Sequence, residues 1–121
     1  MDQTTKCIPR VATLDGFADE MMAGDGIHLR DLEPMDVLLV RTRNSVYRMI
    51  ITRDTEVTVQ GGDFFASPTA AFVDGSGFGG SLIRIGWIGI GLRMEIRVAD
   101  RRIVTSPVHS IARHAPPPRL H

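Results

Sequence analysis

Residues 82–98, LIRIGWIGIGLRMEIRV, decide how this chain folds. In the second half of the stretch Ile88, Ile90, Leu92, Met94, Ile96 and Val98 share one parity, while Arg93, Glu95 and Arg97 share the other. That is the period-two pattern of a half-buried strand. In the first half the bulk lies on the opposite parity, at Ile83, Ile85 and Trp87, with Gly86, Gly89 and Gly91 around the changeover. Glycine inside a strand marks a bulge, a corner or a close approach of another backbone. The stretch therefore predicts one long, strongly bent strand in a sheet that closes on itself.

Upstream, Val37–Thr42 and Ser45–Thr52 predict a hairpin turning at Arg43 and Asn44, where asparagine tolerates the positive φ of a tight turn. With that turn, Leu38, Val40, Thr42, Ser45, Tyr47 and Met49 share a face. The reverse face carries Val37, Leu39, Val46 and Ile50, interleaved with Arg41 and Arg48. A solvent-facing sheet surface is normally polar, so this second apolar face calls for cover, from an N-terminal helix or from another subunit. The segment 29–51, LRDLEPMDVLLVRTRNSVYRMII, resembles the start of an SH3-like small barrel, a likeness of fold that implies no particular function.

The helix is predicted over 13–23: Thr13 can cap it, Asp15, Asp19 and Glu20 place negative charge early, and Leu14, Phe17, Ala18, Met21 and Met22 follow helical spacing to a stop at Gly24. Beyond the first hairpin, Thr55–Gln60 reads as a strand closed by Gly61 and Gly62. Phe64–Val73, interrupted by Pro68, reads as two short pieces or an edge strand. Asp74–Ser81 reads as a flexible glycine-rich connection. Asp100 and Arg101 turn the long strand into Arg102–Thr105, with Ile103 opposite Val98, and Ser106 and Pro107 end the sheet. The expected fold is mainly β: about seven short strands in a small SH3-like barrel or tightly rolled β-sandwich, with one N-terminal helix. A single domain is expected over 13–114, between a flexible lead-in at 1–12 and a proline-rich tail at 115–121.

At 121 residues the chain has the length of one domain. No apolar run approaches the roughly 20 residues of a transmembrane helix, and MDQTTKCIPR lacks the basic and apolar blocks of a signal peptide. A cytoplasmic location is the expectation, without a membrane partner. Cys7, the single cysteine, excludes an internal disulfide and lacks any sign of activation. Net charge is zero but uneven, −5 over residues 1–36 and +5 over 37–121. A basic domain could present a patch to an anionic partner.

Candidate chemistry is sparse. Gly75, Gly77 and Gly80 satisfy GxGxxG, but a β pattern follows where a dinucleotide site needs a helix, and no lysine completes a P-loop. The loop could still form a backbone anion nest, which makes Ser76, Gly77 and Ser81 candidate anion contacts. Asp25, His28 and Asp31, with Glu33 and Asp36 nearby, have weak metal-ligand spacing; His109 and His114 lack a cysteine pair. Solvated acids and surface histidines are the better account, and neither metal nor cofactor is expected. Glu95 is the carboxylate of most interest for acid–base work, yet a same-face or cross-strand ion pair is the more economical reading. Arg41, Arg43 and Arg48 around the first hairpin could contact phosphates, although Tyr47 points inward, away from a stacking role.

The expected role is thus a non-catalytic interaction module that self-associates into a homo-oligomer through Val37, Leu39, Val46 and Ile50. The alternative is a module for an anionic partner, nucleic acid or a phosphorylated small molecule, bound by the basic hairpin. An enzyme whose residues converge from distant loops is third.

Overall fold

The computed structural model describes the backbone of residues 20–22 and, in full, residues 25–80 and 82–114. The chain is mainly β. Its strands are β1 (Glu20–Met22), β2 (Gly26–His28), β3 (Val37–Thr42), β4 (Val46–Arg53), β5 (Glu56–Gly61), β6 (Phe65–Gly77), β7 (Ile83–Ile85), β8 (Trp87–Gly89), β9 (Arg93–Val98) and β10 (Arg101–His114). A 3-10 turn, Leu29–Asp31, lies between β2 and β3. Six strands close into an antiparallel ring in the order β3-β4-β5-β6-β9-β10, with β10 pairing back onto β3. β1 adds to β10, β7 adds to β6, and β2 pairs with β8 in a separate ribbon.

The ring encloses the core because alternate residues of each strand point inward: Leu38 and Val40, Met49 and Ile51, Val57 and Val59, Ala71 and Val73, Met94 and Ile96, Ile103, Val108 and Ile111 are all buried. Leu29 of the 3-10 turn and Ile88 of β8 are fully buried in the same cluster. The first hairpin follows the expected register, with Leu38 opposite Met49 and Val40 opposite Tyr47. Its turn works differently from expectation, since neither Arg43 nor Asn44 has positive φ. Instead Thr42 Oγ1 accepts from the Ser45 amide (3.1 Å), and Ser106 of β10 donates to Thr42 Oγ1 (2.8 Å). The turn is latched to the neighbouring strand.

Several expectations are corrected. Residues 82–98 form three strands rather than one, because Gly86 (φ 68°) and Gly91 (φ 87°) adopt left-handed conformations that end β7 and follow β8. Phe65–Gly77 is one continuous strand of 13 residues; its register against β5 shifts between the pairs Val59–Thr69 and Gly61–Phe65, and Pro68 sits in that irregularity. The β6–β7 turn is correspondingly short, with Gly75 and Gly77 in strand and not in loop. β10 runs on through Pro107 to His114, since the proline falls where the strand's pairing passes from β9 to β3 and no ladder donor is required. The turn before β10 is at Ala99 and Asp100, so Ile103 faces Ile96 rather than Val98. Of the helix expected over 13–23, residues 20–22 form β1, held to Ala112–His114 of β10. Residues 13–19 and 23, like the lead-in 1–12, Cys7, Ser81 and the tail 115–121, lie outside the described residues.

Tyr47 shows the electrostatic consequence of the closed core. Burial pushes its phenol above the ordinary value and the nearby Asp63 charge adds to this, against a hydrogen bond with Ser45 that acts the other way. The neutral phenol is favoured by folding, so its contribution to stability is complete below pH about 10 and is lost as pH rises through the folded-state value. As Tyr47 is the only tyrosine, phenolate absorbance should rise at higher pH in the folded protein than in urea; coincident titrations would contradict the burial.

Candidate functional site

The outer face of β7, β6, β9 and β10 is the most distinctive surface. Across it, Ile85, Gly75, Glu95 and Val104 fall in one cross-strand row, and Phe72, Arg97 and Arg102 in the next. Gly75 contributes no side chain to its row. The result is an open cleft of about 400 Å³ lined by Asp74, Ile83, Ile85, Glu95 and Arg102. Exposed apolar side chains lie in its cross-strand rows, Ile85 at 79% and Phe72 and Val104 at 39%. Phe78 and Leu82, each 87% exposed, lie in the adjoining β6–β7 connection, and the five are the majority of the large apolar residues exposed in the described structure.

Glu95 lines the cleft and is 2% exposed. Its parity is as expected, with Arg93 and Arg97, but its ion pair is with Arg102 of β10, which reaches Oε1 diagonally. Oε2 is buried and has no hydrogen-bond partner among the described residues. Asp74 is the extra residue where the β6–β9 register shifts, and its carboxylate accepts from Arg97 Nε (3.3 Å) and Nη2 (3.1 Å). Arg97 also lies over the Phe72 ring at 4.8 Å. On the far side of β7, Arg84 stacks on Trp87 at 4.1 Å, and its Nη2 is 3.4 Å from His28 Nε2.

The residues singled out by sequence are dispersed. Val37, Leu39 and Ile50 lie half-buried on the outer face of β3 and β4, and Val46 is 43% exposed there. Arg41 and Arg48 share that face, with Arg43 exposed at the turn, and none of the three makes an ion pair among the described residues. Ser76 and Gly77 are on β6, two strands from β4 in the ring, and unavailable to an anion. Ser76 is fully buried, its hydroxyl donating to the Trp87 carbonyl (2.6 Å) and accepting from the Gly89 amide (3.1 Å), and Gly77 is a buried strand residue paired on both sides. His28 packs against Trp87 with ring centroids 4.7 Å apart, and among the described residues no three His, Cys, Asp or Glu side chains are placed to hold a metal. Asp36 is not a solvated acid: it is buried and paired with Arg113 (2.6 Å). Sequence reasoning missed Arg102 and the exposed apolar side chains, although Phe78 and Leu82 beside a glycine run were a readable sign of exposed bulk.

No protein-family model matches the chain, and comparison with curated proteins and with solved structures returns no match either. Among the described residues no helix is long and apolar enough to cross a membrane.

Proposed function

We propose that this chain is a non-catalytic interaction module, built on a small SH3-like barrel, that self-associates through the outer face of β6, β7, β9 and β10. The observation that carries this reading is the set of exposed apolar side chains Phe72, Ile85 and Val104 on this face, with Phe78 and Leu82 in the β6–β7 connection beside it, since exposed apolar surface gathered in one region marks interaction sites. β7 also ends its sheet, and an open strand edge is a template for pairing. A second copy is the occupant that fits the charges. The face carries Asp74 and Glu95 together with Arg93, Arg97 and Arg102, so a two-fold axis can bring each sign against the other twice.

Sedimentation equilibrium tests this. A concentration-dependent dimer is expected, and Ile85→Glu should raise its Kd at least tenfold, about 1.4 kcal/mol. A chain that stays monomeric throughout the micromolar range overturns the reading. Val46→Glu on the first hairpin should leave the dimer intact; dissociation by that change alone would place the interface on β3 and β4.

A second reading is favoured by the three guanidinium groups of Arg41, Arg43 and Arg48 on one hairpin, which make no ion pair among the described residues. They suit an anionic partner such as a nucleic acid backbone. Fluorescence polarisation with a generic oligonucleotide should then show affinity falling steeply with salt, and Arg48→Gln should flatten that slope. No binding at low salt rejects this reading.

A further inference from the structure

The cleft on this face has a chemistry of its own. Glu95 lines it with Oε1 bonded to Arg102 and Oε2 buried and unbonded among the described residues. An ionised carboxylate in a desolvated setting favours donors at both oxygens, and an acceptor left without one is costly. Charge and shape then restrict what can supply the missing donor. An anion would face both Asp74 and Glu95, and the two arginines nearest them are already engaged, Arg97 with Asp74 and Arg102 with Glu95. A neutral apolar group would leave Oε2 as it is. A cationic group on an aliphatic stem meets both demands, because its N–H groups would pair with the Glu95 carboxylate where the exposed Arg102 side chain moves aside, while the stem lies along Ile83 and Ile85, the apolar wall of the cleft.

We propose that the cleft of Asp74, Ile83, Ile85, Glu95 and Arg102 is a binding site for an alkyl guanidinium or ammonium group. Arg102 shows that a guanidinium fits against this carboxylate, and its side chain is 55% exposed, so it is free to give way to an incoming cation. It acts as the resident competitor for Glu95. Such a cation can come from an arginine of another polypeptide, a second copy included, or from a free small amine. The site itself does not depend on self-association.

The test is a titration of the full chain with n-butylguanidinium, followed by the NMR shifts of the Gly75 and Glu95 amides, beside n-butylurea as the neutral probe of similar shape. Saturable shifts with the guanidinium and none with the urea are expected. Glu95→Gln should weaken binding at least tenfold, and Arg102→Met should tighten it at least threefold by removing the competitor. Equal binding of the two probes, no saturable shift in wild type, or affinity unchanged by Glu95→Gln overturns the proposal. The two-probe comparison on wild type decides the matter even if a variant fails to fold. Titration at low and high protein concentration separates the sources: weaker probe binding at high concentration means that a second copy's arginine competes, and equal binding at both assigns the site to other cations. A monomer that binds the probe would refute the proposed dimer alone, and a dimer that ignores the probe would refute the cation site alone.

Discussion

Gly75→Ala should cost about 2–5 kcal/mol, from backbone overlap together with an unfavourable φ. Gly75 lies between two strands, opposite Ile85 of β7 and Glu95 of β9. A Cβ there would overlap the carbonyl oxygen of Arg84 and come within 2.9 Å of its carbon, and the residue has φ +154°. The obstruction is backbone, which cannot rotate away as a side-chain tip would, so β7 must move off β6 or the ring must distort. Gly80 supplies the control, with nothing within 4 Å of an added Cβ. Urea denaturation should show a much lower midpoint for Gly75→Ala and a nearly unchanged one for Gly80→Ala. The same substitution should abolish both dimerisation and cation binding if β7 forms the wall of the cleft. Retention of wild-type stability would mean that β7 does not lie on β6 in this way.

The contrast between those two glycines also shows what was legible in the sequence. Gly75 and Gly80 belong to one glycine run and look alike as letters, but only Gly75 has another backbone against it, because the chain returns after β6 and lays Arg84 and Ile85 of β7 alongside. Alternation is local, so it was readable: the 37–53 hairpin and the inward set Met94 and Ile96 follow from parity alone. Partners distant in sequence were not readable. Glu95 was assigned correctly to the arginine side of its strand, yet its burial is set by Ile83, Ile85 and Gly75 arriving from other strands, and its bond is to Arg102. The helical spacing around Met21 and Met22 was overridden at Glu20–Met22 by pairing with β10. Pro107 was read as a terminator because the rule considers one ladder at a time, whereas β10 changes partner at that residue.

Asp36 is the clearest case of a residue whose role is invisible locally, and it carries the second large effect. Among acids at 25, 31 and 33 it reads as one more solvated carboxylate, yet it is 2% exposed. Its Oδ2 accepts from the Glu33 amide at 2.9 Å and from Arg113 Nη2 at 2.6 Å, across 77 positions of sequence. Its own amide bonds to the Glu33 carbonyl, and its carbonyl accepts from the Ile51 amide. The carboxylate thus ties the loop before β3 to the end of β10, beside Met35, which is held at φ 77°. Asp36→Ala should destabilise by about 2–4 kcal/mol, somewhat less than the roughly 3–5 kcal/mol for breaking a fully buried pair, because the Arg113 side chain is 27% exposed and water can reach part of it. The loss is large because Arg113 Nε is already buried without a partner among the described residues, so removing the carboxylate leaves the cation uncompensated. Asp36→Asn keeps an acceptor for the Glu33 amide and should cost less, about 1–2 kcal/mol. Asp36→Ala combined with Arg113→Met should recover part of the single-mutant loss, since the isolated charge goes with its partner. Thermal and urea unfolding of wild type, Asp36→Ala, Arg113→Met and the double variant closes the cycle. Purely additive effects would show that the two side chains do not act as a pair.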